Sequence, residues 1–213
     1  MIKKTLFLLL FVPLTQVYSQ TYQFAIHFNP IVSWFNSENK TLKSDGNRLG
    51  IDGGVDIDRF FAERYAFSTG VSIGGFGGQL KNTEEIDMFG NKLPAGSSTQ
   101  LNLKYLSIPI GLKFKTEEIG YSTFYAQIGF STQYCLSAKA VSDISALDGS
   151  SVIDDINRLN VGYHIGGGVE YAITRSTAIV AGLIYTSYFT DALSTSKYTA
   201  TSSNVALRLG IRF

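Results

Sequence analysis

Apolar and polar residues take turns along most of this chain, and a period of two marks a β-strand whose faces meet different surroundings. Tyr22, Phe24, Ile26, Phe28, Pro30, Val32 and Trp34 hold the even positions of the first run, with Gln23, Ala25, His27, Asn29 and Ser33 between them. Residues 48–60 set Leu49, Ile51, Val55 and Ile57 against Asp52, Asp56 and Asp58. Residues 65–75 set Tyr65, Phe67, Val71 and Ile73 against small residues. Residues 121–136 and 159–173 alternate too, as do residues 204–213, with Val205, Leu207, Leu209, Ile211 and Phe213 against Asn204, Ala206, Arg208, Gly210 and Arg212. Residues 178–189 are nearly all apolar, so their facing is ambiguous. In residues 101–114 the apolar phase changes, odd at Leu101, Leu103 and Tyr105 and even from Leu106 to Phe114. One extra residue near Tyr105, a β-bulge, accounts for such a change, and Pro109, which cannot donate to a ladder, fits beside an irregularity.

Eight strands follow, joined by long segments at 37–47, 79–99, 137–158 and 190–203 and short ones at 61–64, 115–120 and 174–177. Long and short connections alternate. Outer-membrane barrels have this asymmetry, with long loops outside and short turns and both chain ends in the periplasm. Tyr22 and Trp34 stand roughly 40 Å apart along an extended strand, or about 30 Å once it tilts by ~40°, the spacing of two interfacial aromatic girdles. The fold expected is all-β: a closed, eight-stranded, antiparallel, up-and-down transmembrane β-barrel over residues 20–213.

Composition places this barrel in an envelope. Charged residues make up 16% of the chain and mean hydropathy is +0.10, too polar for a helical membrane protein and poor in charge for a soluble one. Apolar residues spread singly along strands give this balance. Lys3 and Lys4, the apolar residues 6–12 and the small-residue site at Val17-Tyr18-Ser19 read as a secretory leader over residues 1–19. Its apolar run falls short of the ~20 residues a span needs. Cleavage lowers the 18 basic residues to 16 against 17 acidic ones, which gives no basis for a nucleic-acid partner. Cys135 is the single cysteine and forms no internal disulfide.

Residues 204–213, ending on Phe213, resemble the C-terminal signal of bacterial outer-membrane barrels, in which the last strand closes the cylinder and the barrel-assembly machinery reads the terminal aromatic. Residues 105–114, Tyr-Leu-Ser-Ile-Pro-Ile-Gly-Leu-Lys-Phe, resemble the most recurrent motif of the PorT-like outer-membrane β-barrel family of Bacteroidota. Residues 125–134, with Gly129 in the middle, and 166–171 resemble that family's next two strands. The resemblance spans the mature chain. It implies an outer-membrane location and a barrel, but no reaction, and its namesake assists a secretion and gliding system.

Any chemistry would sit on the inward face. An eight-stranded barrel is just wide enough inside for side chains to fill, so the many inward glycines read as volume control. A phosphate-cradling loop at residues 74–78 or 166–168 would need a strand leading into a helix, and no helical period follows either. His27, Asp52, Asp56, His164, Glu170, Arg208 and Arg212 are expected to form a polar network in the lumen, because buried charges must pair or meet water. By strand direction Asp56, Glu170 and Arg212 lie low, with Asp52 and Arg208 higher. His164 is the histidine nearer the outer rim, where a lipid-modifying enzyme would keep a His with Ser or Asp, but no serine is obviously paired with it. The acidic loop with Asp143, Asp148, Asp154 and Asp155 does not fit EF-hand spacing, and no metal or cofactor site is expected.

These features read as a non-enzymatic barrel with a structural, adhesive or secretion-accessory role carried by its outer loops. Its partners would be outer-membrane lipid, lipopolysaccharide, the barrel-assembly machinery and envelope proteins. A narrow transporter would need a continuous wet lumen, and a lipid-modifying enzyme a His/Ser/acid cluster at the outer rim.

Overall fold

The computed structural model describes residues 22–37, 39–142, 144, 147–194 and 197–213. The leader at residues 1–19 and Asp143 lie outside the described residues. Ten strands appear: β1 (Tyr22–Asn36), β2 (Leu42–Ala62), β3 (Tyr65–Asn82), β4 (Ile86–Met88), β5 (Asn91–Leu93), β6 (Ser98–Lys115), β7 (Ser122–Ser142), β8 (Leu159–Ala172), β9 (Ala178–Asp191) and β10 (Thr201–Arg212). Eight of them close a ring in the order β1-β10-β9-β8-β7-β6-β3-β2, while β4 and β5 form a separate hairpin. The first and last strands seal it: His27 opposes Gly210, and the amides of Phe24 and Phe213 donate to each other's carbonyls at 3.0 and 2.9 Å. A closed ring leaves no unpaired edge, which is the condition for strands to lie in hydrocarbon.

The outward face of the lower barrel is an apolar belt. Phe28, Leu49, Ile73, Ile110, Phe130, Ile165, Leu183 and Leu209 all point out, with Leu49 78% exposed. Aromatic rings mark its lower edge, where Phe61 lies 4.8 Å from Phe67 and Tyr65 lies 5.8 Å from Phe114. At the upper edge Tyr163 lies 5.7 Å from Phe189 and Trp34 lies 6.5 Å from Tyr185. The apolar β9 takes a definite phase, with Val180, Ile184 and Tyr188 turned inward and Ile179, Leu183 and Phe189 outward.

Above the belt the wall turns right side out. Four ring strands continue past the hydrocarbon with polar residues such as Lys43, Lys81, Lys104 and Lys139 exposed. Leu42, Leu80, Leu101, Leu103 and Ala140, each at most 1% exposed, face the interior. They pack on Ile86, Met88 and Leu93 of the hairpin, on Leu147, Val152 and Ile156 of the β7–β8 connection, and on Leu193. The result is a water-excluded core of the kind a soluble protein has, set over the outer mouth of the barrel. Fully burying one such side chain stabilises by roughly 1.5–3 kcal/mol. Two amides tie the cap's connections together: Asn82 Nδ2 donates to the Glu84, Leu93 and Pro94 carbonyls, and Asn157 Nδ2 to those of Asp191 and Leu193.

The cap corrects two expectations. Much of the long segments is strand, because β2 begins at Leu42, β3 runs to Asn82 and β7 to Ser142; polar residues there face water above the membrane, on both strand and loop. The apolar phase change in β6 is not a bulge in that strand. Its odd positions, from Thr99 through Tyr105 to Lys113, face inward throughout. What changes is the environment: the lumen is apolar at the top and polar below. The register does shift at this height, but between Lys104↔Ser137 and Tyr105↔Cys135, so the extra residue belongs to β7. Pro109 interrupts the β3–β6 pairing between Thr69↔Ile110 and Ser72↔Ser107 without shifting it.

Glycines do more than thin the lumen. A Cβ on Gly54, Gly129 or Gly168 would lie 2.2, 2.3 and 2.1 Å from the carbonyl oxygens of Val71, Ile110 and Ala181. Each belongs to an adjacent strand, so these positions let neighbouring strands coil closely, in line with the tight bends of a small barrel.

Candidate functional site in the barrel lumen

Three polar groupings fill the lumen below the cap. The lowest is centred on Glu170 of β8, 2% exposed. Lys115 Nζ donates to its Oε2 at 2.7 Å, and Lys113 Nζ and Arg212 Nε stand 2.9 Å from its two oxygens without hydrogen-bond alignment. Lys113 also donates to Asp58 at 2.7 Å and lies over the Tyr125 ring, while Lys115 donates to Gln23. Five charged groups thus interlock across β2, β6, β8 and β10. Below them, at the rim of the short turns, a vestibule of about 770 Å3 opens, lined by Gln23, Phe60, Thr123, Lys115, Glu170 and Arg212.

One level higher, His27 of β1 bridges two carboxylates of β2. Its Nδ1 lies 2.9 Å from Asp56 and its Nε2 3.3 Å from Asp52. Arg208 of β10 donates to Asp56, and Asn29 donates to Asp52 at 2.8 Å. The register explains the grouping, since Asp52 opposes Asn29 and Asp56 opposes Ala25, with His27 between. Across the bore Ser131 and His164 share a hydrogen bond at 2.9 Å, and Gln133 donates to Ser107 at 3.0 Å. A cavity of about 90 Å3 separates the two walls, polar and large enough for several waters. Phe76, which belongs to the apolar cap, and Tyr188 stand in its lining.

Of the residues singled out by sequence, His27, Asp52, Asp56 and Arg208 come together, Glu170 and Arg212 form a second cluster, and His164 stands apart with Ser131. Asp56 pairs with Arg208 and not at the level of Glu170, because the strands tilt and their levels slide past one another. Lys115, assigned by sequence to a turn, ends β6 and points inward. Ser131 is the partner that sequence reasoning missed for His164. The two sit at Gly129↔His164 and Ser131↔Gly162 in the β7–β8 register, a diagonal relation that the alternation could have supplied once β7 and β8 were paired. Among the described residues no carboxylate lies within ion-pair distance of His164, and no group of three or more His, Cys, Asp or Glu side chains is arranged to hold a metal.

An apolar belt around a closed antiparallel ring, with charges paired inside it, defines a membrane-spanning β-barrel. The chain belongs to the outer membrane protein beta-barrel domain family, which matches residues 18–194. It is thus a small outer-membrane barrel protein. No curated protein sequence matches it. In fold it is similar to Neisserial surface protein A (NspA), at 16% identity and a TM-score of 0.52, covering 89% of this chain and 95% of that one. It is also similar to the outer membrane protein OprG from Pseudomonas aeruginosa, at 11% identity and a TM-score of 0.53, covering 91% of this chain and 95% of that one.

Proposed function

We propose that this barrel is a sealed, non-catalytic anchor that presents a folded cap at the cell surface, where the cap serves a structural, adhesive or secretion-accessory role. The observation that carries this reading is the apolar core above the belt, in which the outer connections are fixed by Leu93, Leu147, Val152, Ile156 and Leu193. A surface held by a buried core is preorganised, which lowers the entropy cost of binding a partner. The resemblance of residues 105–114 to the PorT-like barrels of Bacteroidota supports a secretion-accessory role in particular. A leader over residues 1–19 would deliver the chain to the periplasm, and the barrel-assembly machinery would read residues 204–213.

Transport and lipid chemistry fit less well. A transporter needs a path past the cap, and the Ser131–His164 pair faces a small cavity below the cap, away from the outer rim and with no acid in ion-pair distance of His164 among the described residues. The test is a photo-crosslinker at Asp148, an exposed residue of the β7–β8 connection, in the native membrane. A discrete crosslinked envelope protein or surface glycan is expected, lost when Leu103→Asp opens the core beneath the connection in a barrel that still inserts. A crosslink profile unchanged by that substitution would overturn the reading.

A further inference from the structure

The upper edge of the apolar belt is built differently on its two sides. On β1, β8 and β9 it carries Trp34, Tyr163, Tyr185 and Phe189, the aromatic residues that settle at headgroup level. On β2, β3 and β6 the belt ends at Leu49, Ile73 and Leu106 with no ring above them. Two cations stand there instead. Lys104 is exposed on the outward face of β6, directly opposite Gly75 of β3. Arg48 reaches the same place from β2: its Nη1 donates to the Phe76 carbonyl at 2.7 Å and lies 3.5 Å from where a Cβ on Gly75 would be. Glycine at 75 therefore leaves a hollow beside the Arg48 guanidinium, with Lys104 at the facing register position on β6. Among the described residues neither cation lies within ion-pair distance of a carboxylate.

Like charges on one patch of a sheet repel, and with no acid in ion-pair distance of Arg48 or Lys104 this patch invites an anion. The hollow lies where hydrocarbon gives way to headgroups, and the anion concentrated at that depth is lipid phosphate. We propose that Arg48 and Lys104 bind a phosphate group carried by a glycolipid of the outer leaflet, with the space over Gly75 admitting it. A guanidinium suits this task because its parallel N–H groups match phosphate oxygens, and a lysine adds a flexible second charge. The barrel then has a fixed lipid neighbour on its β2–β3–β6 side, independent of any partner of the cap.

The test uses the full refolded barrel in detergent, mixed with phosphorylated lipid A or its dephosphorylated form and read by native mass spectrometry. Wild type should retain the phosphorylated lipid. Lys104→Gln should retain several-fold less, and the Arg48→Gln/Lys104→Gln double variant about tenfold less or lower. Dephosphorylated lipid should bind all three alike. The Lys104 side chain makes no hydrogen bond or ion pair among the described residues, so its single variant decides the matter if loss of the Arg48–Phe76 bond disturbs folding. Equal retention by wild type and Lys104→Gln would overturn the proposal. Complete displacement of the lipid by millimolar inorganic phosphate would overturn it too, since the site would then select a free anion.

Discussion

Glu170 is the residue on which the lower lumen depends. Three cations converge on its carboxylate, and among the described residues only Lys113 has a second acid, Asp58, to turn to. Glu170→Ala should therefore leave Lys115 and Arg212 facing each other without compensation. Removing one member of a buried pair costs roughly 3–5 kcal/mol, an upper figure here because the vestibule admits water. Arg212→Ala should cost clearly less, since Lys113 and Lys115 still hold Glu170. Denaturant midpoints of the two variants check this order, and a Glu170→Ala barrel as stable as wild type would contradict it. The sequence made the charges of the inward face legible, because alternation alone decides which side a residue takes. It did not show which charges meet. Pairing across a tilted ring depends on the register, which put Asp56 with Arg208 and gave His164 a serine.

Among the elements, β6 records how the barrel is divided. Its odd residues face inward along its whole length, yet they are Leu101, Leu103 and Tyr105 near one end and Gly111 and Lys113 near the other. A strand that crosses from lipid into a water-covered core must exchange the chemistry of its faces while its geometry stays regular. That exchange looks like a bulge when only apolar residues are followed, because the alternation carries no information about what surrounds the strand. The short turns and the closing strand were readable for the opposite reason: they lie where the surroundings do not change. Two substitutions on β6 separate these zones. Leu103→Asp should open the cap and make residues 83–97 sensitive to protease on intact cells, while the barrel still inserts. Ile110→Asp places a charge on the lipid face, which costs up to about 2–4 kcal/mol near the midplane, and should lower the inserted fraction instead. If both variants fail to insert, or neither exposes the cap, the division is wrong.

At the scale of the whole molecule, the apolar core packs at the end that carries the β4–β5 hairpin, and a vestibule opens at the rim of the short turns. The expected topology puts the β4–β5 hairpin and the β7–β8 connection outside, because the chain ends and the short turns share the opposite rim. Asp148→Cys should react with an impermeant thiol reagent on intact cells, and Glu118→Cys should react only after the outer membrane is breached. Cys135, 2% exposed inside the cap, should stay silent in both. Labelling of Glu118→Cys alone would invert the molecule.

The vestibule, the charge clusters and the small cavity have the polarity of a channel, but an apolar core packs above them. Side chains such as Leu80, Leu101 and Leu103 offer an ion nothing to replace its hydration, and the buried charges beneath them are already paired. The account rests on this seal, and planar-bilayer recording of the purified wild-type barrel tests it directly. Insertion should produce no discrete conductance, whereas Leu103→Asp should produce brief openings. Sustained, discrete steps from the wild type would contradict the account.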